Sequence, residues 1–425
     1  MKKYVKFLSF VLILAMVICF TQFNVLTGKA QSNISIDEAK TFTTNYFAQR
    51  TQSILNDNKL DIYISSKNPN LKDFEAKRSS FYRDLVKSWG GSLISIESQP
   101  DIRSITFDEQ SGNINEEVYE WITIKWHSKK VQIPKNFEDL KEVKELRELE
   151  KNNPGLKEAV EDKIQYIKKG YTNYPEIVDT GIGVTHEIVL SRENGKIVIL
   201  KDAYDEGPDL TVSPDFIVNK QNTFPITKTP IQIGNINQIN ATSSISYYYD
   251  RQEGADYADQ YVPHFAGDPD HQYNPCYKNF NPPYGGGDCA NYVSQCLFAA
   301  GQPRIFDDGT YPTGQNPWYY KNGGTCDTSD DKWNSAWTYA PTLYNTVIAS
   351  NRGRDESYSL VTMGDIAFWN GDSYHGHVVF VVQDGNSSNP PLYDAHNNDR
   401  WHYPLYNSSY WSYVWIYGGT QSIAY

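Results

Sequence analysis

Residues 285–303, GGGDCANYVSQCLFAAGQP, constrain the fold of this chain more than any other stretch. Asp288 is a favourable helix N-cap, and Cys289 follows it as the first helical residue. The residues at helical spacing after this cysteine form one apolar face: Val293, Cys296, Leu297 and Ala300. Gly301 and Pro303 then end the helix. The sequence therefore predicts a buried helix that begins at a thiol.

Cys289 has two alternative roles at this position. The positive end of a helix dipole and the free N–H groups of the first turn both favour a thiolate over a thiol, as a nucleophile requires. Free cysteines are also among the residues most often buried for packing alone, and Cys296, two turns further on, fits that role. Three glycines let other backbone approach Cys289 closely, and the adjacent Asp288 caps the helix. These features make Cys289 a candidate nucleophile.

Residues 1–30 have the features of an export signal. Three lysines precede an apolar run at residues 7–20, and small residues suited to cleavage end at Ala30. We expect cleavage after Ala30 and a secreted, extracellular protein that is associated with the cell wall. Such a protein contacts a membrane only through the signal, before cleavage. An uncleaved anchor is the alternative, although the apolar run is short for a membrane span.

The charge and the cysteine content limit the partners and the cross-links. The net charge of −12 becomes −16 without residues 1–30, because they hold four lysines and no acid. An acidic body does not attract nucleic acid, so we expect none as a partner. Four cysteines lie outside the signal, too few for a disulfide scaffold. If any pair is oxidised, we expect Cys276 with Cys326, since both lie in loops.

The chain of 425 residues is long enough for two domains. Residues 31–205 predict two amphipathic helices and an antiparallel meander, which together form a smaller α+β domain. Its charged insertion at residues 135–169 predicts a solvated helical hairpin. Residues 206–246 are rich in Pro, Asn, Ser and Thr and predict a linker to the second domain, residues 247–425.

The first domain shows no catalytic cluster. Its strand-like segments are residues 92–97, 102–107, 118–127, 184–191 and 196–201. His127 and His186 lie within these strand patterns and fit packing or surface positions.

A thiol nucleophile needs a base, and His377 is the candidate. Two short apolar runs, residues 366–369 and 378–382, predict two buried strands. His377 stands where the second begins, so its side chain can face a cleft. A structural strand histidine is the alternative.

A third predicted strand, residues 391–396, supplies a possible orienting residue. Asp394 and His396 point to one face by the period of two, and either can hold an imidazole in its productive orientation. The order of Cys, His and a polar residue is shared by many papain-like hydrolases.

Four motifs within residues 247–417 point to a known family: GGGDCANYVSQCL, GDIAFW, GHVVFVV and DAHNNDRW. Together they resemble the putative amidase domain found in exported proteins of Gram-positive bacteria. That domain is similar to the papain-like cell-wall endopeptidases, whose nucleophile helix packs on an antiparallel sheet. The resemblance implies an α+β protein with a papain-like C-terminal domain. The N-terminal domain resembles, far more faintly, cystatin-like or nuclear-transport-factor-like α+β folds.

The resemblance also implies roles for individual residues. Cys289 would be the nucleophile and His377 the base. Asp394 matches the orienting residue of the endopeptidases, whereas His396 is typical of the amidase motif, and we favour His396. The implied activity is hydrolysis of an amide or peptide bond, with peptidoglycan stem peptides as the first substrate class. Transfer of the acyl group to an amine would use the same residues.

The alternative to an enzyme is a non-catalytic module that binds glycans or peptides. The tryptophans and tyrosines of residues 311–337 would then form an exposed stacking surface. We expect no cofactor and no metal. His375 and His377 lack further zinc ligands, and the calcium-loop pattern that starts at Asp327 fails at Lys332.

Overall fold

The computed structural model describes residues 34–56, 60, 62–89, 91–206, 213–215, 244–281, 287–306, 317–321, 326–370 and 376–424. The predicted signal and most of the predicted linker lie outside these ranges. Among the helices that are described, none combines the length and the apolar character needed to cross a membrane.

The first half of the chain forms helices and an antiparallel meander, as the sequence predicts. Its elements are α1 (Ile36–Asn56), α2 (Pro69–Ser88), β1 (Ser92–Asp108), β2 (Asn113–His127), α3 (Lys141–Asn152), α4 (Lys157–Thr172), β3 (Ile177–Glu193) and β4 (Lys196–Tyr204). A capping box opens α1: Ser35 N–H donates to Glu38 Oε2 at 2.9 Å, and Glu38 N–H donates to Ser35 Oγ at 3.2 Å.

The first strand is longer than the sequence predicts. Residues 92–97 and 102–107, predicted as two strands, both belong to β1, in which Pro100 lies opposite Glu120 of β2. Strand β1 lies at the edge of the described sheet, so no strand on its outer side needs the N–H group that Pro100 lacks.

The second half contains a helical layer and a run of short strands. Its elements are β5 (Ser244–Tyr249), α5 (Arg251–Gln260), α6 (Cys289–Ala299), β6 (Tyr320–Lys321), β7 (Lys332–Trp333), α7 (Ser335–Thr338), α8 (Ala340–Ala349), β8 (Gly353–Glu356), β9 (Ile366–Trp369), β10 (His377–Gln383), β11 (Leu392–Ala395), β12 (Arg400–Pro404), β13 (Trp411–Ile416) and β14 (Gly419–Ala424). The α+β class predicted for the chain is confirmed.

One antiparallel sheet runs through both halves. Its ten strands follow the order β1-β2-β3-β12-β11-β10-β9-β13-β8, with β4 also paired to β3. The two halves join where Arg400 and Trp401 of β12 pair with Ile182 and Gly181 of β3. The sheet therefore continues across the two predicted domains.

The charged insertion forms two helices, α3 and α4, as predicted. The prediction that the insertion is solvated is wrong for α4, whereas most side chains of α3 are exposed or half-buried. The apolar face of α4 carries Val160, Ile164 and Ile167, which share a core with Trp415 of β13. Lys163 on the same helix is fully buried. Helix α4 therefore belongs to the core of the second half.

We expect Gly170→Ala to weaken the docking of α4. A Cβ at this position would lie 1.9 Å from the carbonyl oxygen of Gly385, so the backbone must move. The free energy of unfolding should fall by about 1–3 kcal/mol, measured by urea titration. Gly155→Ala is the matched control, because its added methyl meets nothing within 4 Å. Equal stability of the two variants would contradict this packing.

A buried charge network holds the first half together. Arg50 of α1 pairs with Glu120 and with Glu206, whose carboxylate lies 3.3 Å from Arg50 Nη2. His186 is fully buried, with Nδ1 2.8 Å from Asp202 Oδ1. His186 is thus a packing residue, as predicted. Glu206, the first residue of the predicted linker, lies in this core.

A disulfide joins Cys276 to Cys326, as predicted from their loop positions. The other two described cysteines, Cys289 and Cys296, are free and buried. The cross-link therefore ties together two loops that flank α6 in the chain.

Candidate active site

Cys289 is the first residue of α6, as the sequence predicts. Asp288 occupies the N-cap position, but its side chain makes no capping bond to the helix, which corrects the sequence expectation. Its Oδ1 instead accepts Phe280 N–H at 3.0 Å and Asn291 Nδ2–H at 2.9 Å, while its Oδ2 lies 2.7 Å from His396 Nδ1. These partners turn the carboxylate away from the free N–H groups of α6.

The thiol of Cys289 lies at the start of β10. The backbone N–H groups of Val378, Ala290 and Cys289 donate hydrogen bonds to its sulfur. Burial raises the pKa of Cys289 to about 11, and the negative charge of Asp288 adds to the rise, although these N–H groups oppose it. The predicted preference for thiolate is therefore wrong for this arrangement. A helix terminus is worth roughly 1 kcal/mol, less than one pKa unit, and desolvation exceeds it.

His377 is the first residue of β10, where the sequence places it, and pairs with Trp369 of β9. Burial lowers the pKa of His377 to about 3, and the charge of Arg400 acts in the same direction. No hydrogen bond joins the Cys289 thiol to the His377 imidazole in the described part of the chain. The backbone next to His377 does lie close to the thiol, because Val378, the following residue, donates its N–H to Cys289. Both groups are neutral in this arrangement.

His396 has other partners than the imidazole it was expected to orient. Its Nδ1 lies 2.7 Å from Asp288 Oδ2, and its Nε2 lies 2.7 Å from the carbonyl oxygen of Tyr261. Its ring is stacked between Tyr273 and Tyr292, with centroids 3.5 and 3.9 Å away. Neither ring nitrogen is therefore free for His377. His396 holds the residue that precedes the thiol.

Asp394 also lies apart from His377. It is opposite Phe380 in the ladder between β10 and β11. Phe380 is three positions after His377, so strand alternation puts His377 and Asp394 on opposite faces of the sheet. Asp394 is fully buried, accepts His402 N–H at 2.6 Å, and has one carboxylate oxygen without a hydrogen-bond partner. Burial raises the pKa of Asp394 to about 7.

A large cleft lies beside the start of α6. It encloses about 840 Å³ and is lined by one face of α6, by the turn after β11 and by strands of the first half. Asp288 and Asn291 belong to the α6 wall, and Arg103 and Tyr119 to the opposite wall, whereas Cys289 and His377 are not among the lining residues. The residues of the first half that line the cleft form no local motif, so they could not be predicted from the sequence.

The aromatic residues proposed as a stacking surface are largely internal. Trp318 is 1% exposed and Trp337 is fully buried, with their ring centroids 4.8 Å apart. Their bulk fills the core beside α6, where Trp337 Nε1 donates to Asn291 Oδ1 at 2.9 Å. Residues 311–316, and His375 of the zinc alternative, lie outside the described residues.

Comparison with known proteins agrees with the motifs. Residues 248–418, which span α5, α6 and strands β8 to β13, match the family described as "Putative amidase domain". This part of the chain is similar to the putative amidase domain family. The family suggests an amidase-type hydrolase.

One curated relative also resembles the chain. It is "Uncharacterized protein YhbB" of Bacillus subtilis (strain 168), which is 24% identical over 302 residues. The matched region covers 67% of this chain and 86% of that protein. No solved structure matches the chain.

Proposed function

We propose that this protein is an exported cysteine-dependent amidase that cleaves peptide bonds in peptidoglycan stem peptides. The observation that carries the proposal is the position of Cys289. It begins a buried helix, within a region that matches an amidase family, and receives the N–H that directly follows His377. The features of residues 1–30 support export, and the family likeness supports the cell-wall substrate.

The proposed reaction uses a thiol, an imidazole and the first turn of α6. Cys289 Sγ attacks the amide carbonyl carbon while its proton passes to His377, and the N–H groups of Cys289 and Ala290 stabilise the oxyanion. His377 then gives this proton to the leaving nitrogen, the C–N bond breaks, and a thioester remains on Cys289. Water attacks the thioester while His377 takes one of its protons, the C–S bond breaks to release the acid, and His377 returns the proton to Cys289 Sγ.

The proton moves during the attack in this proposal, because the resting pair is neutral. The pKa of Cys289 is raised to about 11 and that of His377 is lowered to about 3, both through burial. Between about pH 3 and about pH 11, therefore, neither group gains or loses a proton. In this proposal His377 therefore takes the thiol proton only as the C–S bond forms, without a preformed thiolate.

The pH dependence of alkylation tests this resting state. Only the thiolate reacts with iodoacetamide, so labelling of Cys289 should accelerate about tenfold per pH unit between roughly pH 7 and 10. His377→Ala should leave that slope unchanged while lowering amide hydrolysis by about 10²–10⁴-fold. Mass spectrometry of the labelled peptide gives the rate, and Cys296, which is fully buried, is the internal control. A midpoint below about pH 8 that rises in His377→Ala would instead indicate a preformed ion pair.

The cleft beside α6 supports an amine-bearing substrate. Five carboxylates and two basic side chains line it: Asp101, Glu117, Asp268, Asp288, Asp399, Arg103 and Lys278. A cleft with this balance attracts positive charge. Free amino groups of stem peptides would suit it.

Digestion of purified peptidoglycan tests the substrate directly. Each cleavage should add one water to a stem peptide and create a new amino terminus, both visible by mass spectrometry. Intact stem peptides, combined with turnover of simple amide substrates, would contradict the substrate class. Absence of turnover on both would contradict the enzyme.

A further inference from the structure

A second group of polar side chains lies outside the cleft, where α5 meets strands β11 and β12. Asp259 near the end of α5, Asp394 of β11 and His402 of β12 each direct one potential metal ligand to the same place. These three atoms all lie within 4.8 Å of one another. His402 Nε2 is 3.2 Å from Asp259 Oδ1, and His264 Nε2 is 3.3 Å from the same oxygen.

Asp394 gives this cluster an unsatisfied oxygen. The residue is fully buried, one of its oxygens accepts His402 N–H, and Oδ2 has no hydrogen-bond partner. A buried carboxylate oxygen without a partner is costly and calls for an explanation, such as a bound ion. A cation held between Asp394, Asp259 and His402 would satisfy it.

The neighbouring cluster around Asp268 differs in this respect. Its carboxylate accepts the backbone N–H groups of His264, Asp270 and His271 and lies 2.9 Å from His271 Nδ1. These contacts organise the loop and leave no open oxygen there. We therefore propose no metal site at Asp268.

The donor set selects the class of cation. Imidazole nitrogen together with a few carboxylate oxygens suits zinc, whereas calcium and magnesium prefer all-oxygen sites with more ligands. Zinc bonds of about 2.0–2.1 Å place tetrahedral ligand atoms about 3.3 Å apart. His402 Nε2 and Asp259 Oδ1, which form an ion pair 3.2 Å apart, are close to that spacing, and the Asp394 ligand atom lies within 4.8 Å of both.

We propose that Asp259, Asp394 and His402 form a zinc site that ties α5 to strands β11 and β12. His264 lies beside the site, with its Nε2 3.0 Å from the carbonyl oxygen of Asp259. Trp401 supports the site, since its Nε1 donates to Asp259 Oδ1 at 2.8 Å and its ring stacks on His264 at 4.3 Å. Such outer partners fix the orientation of metal ligands. This site differs from the sequence expectation of no metal and does not depend on the proposed amidase activity.

Titration of the full chain with zinc tests the site. After removal of metals with EDTA, calorimetry should give one saturable Zn²⁺ per chain, and binding should raise the unfolding temperature. Asp394→Asn and His402→Gln should each weaken binding by at least about tenfold. His127→Gln is the control, because His127 is exposed at the end of β2, and its affinity should equal that of the wild type.

Cobalt provides a readout that does not depend on the variants folding. Co²⁺ bound at this site should give visible bands of a four- or five-coordinate ion without thiolate charge-transfer absorption. Such absorption would mean that Cys289 or Cys296 holds the ion and would overturn the proposal. Absence of saturable Zn²⁺ binding by the wild type, or unchanged affinity in folded Asp394→Asn and His402→Gln, would overturn it as well.

Discussion

Cys289→Ala is expected to lower amide hydrolysis by about four orders of magnitude or more, the scale of losing a covalent nucleophile. The thiol begins α6 and no second nucleophile is part of the proposed reaction, so the variant can form no thioester. The initial rate of amine release from stem-peptide fragments measures the loss. Acid quenching of the wild type during turnover should also trap an acyl group on the peptide that contains Cys289.

Cys296→Ala is the matched control for this prediction. Cys296 lies two turns along the same helix and is fully buried, so its replacement should cost about 1 kcal/mol of stability and leave turnover intact. Near-normal turnover by Cys289→Ala would contradict the nucleophile. Loss in both variants, with both folded, would show that α6 packing and not the thiol controls activity.

The local parts of the site could be predicted from the sequence. The start of α6 at Cys289 follows from a turn-forming stretch and a helical apolar face, both encoded within 19 residues. The strands β9 and β10 follow from short apolar runs. Each of these signals depends only on neighbours in the chain, which is why the positions of Cys289 and His377 were found.

The electrostatics of the site could not be predicted in the same way. The rise in the pKa of Cys289 depends on burial, which is a property of the whole fold. The pairing of Asp288 with His396 joins residues 108 positions apart. The sequence indicated that both residues lie near the site but not that they bond to each other. That bond is what takes His396 away from the role the family resemblance implied.

The join between the two halves also escaped sequence analysis. Two residue pairs between β3 and β12 make the sheet continuous, and such pairing leaves no periodic signal in either strand. Helix α4 is a similar case. Its charged composition indicates a solvated surface, yet its apolar stripe and Lys163 lie in the core of the second half.

Lys163→Met is expected to lower the free energy of unfolding by about 3–5 kcal/mol, the typical cost of removing one partner from a buried ion pair. Lys163 Nζ lies 2.8 Å from Glu356 Oε2 and also pairs with Asp365, and all three side chains are buried. Methionine fills the volume but leaves the buried carboxylate of Asp365 with one cationic partner, Arg251, in place of two. Urea unfolding measures the change, and Lys157→Met, at an exposed position on the same helix, should have almost no effect.

The loss should depend on pH in a direction that Glu356 determines. Burial and the charge of Asp365 raise the pKa of Glu356 from 4.5 to about 8, although Lys163 opposes the rise. A carboxyl whose pKa is raised on folding stabilises the folded state below its unfolded pKa and loses that contribution as the pH rises towards the folded value. Lys163 opposes this rise, so Lys163→Met should move the folded pKa of Glu356 further up and cost additional stability relative to the wild type only above about pH 8. The loss should therefore be larger at about pH 9.5 than at about pH 7, and adding Glu356→Gln should remove this difference. An equal loss at both values would mean that Glu356 does not sense Lys163, which would contradict the buried pairing of α4 with β8.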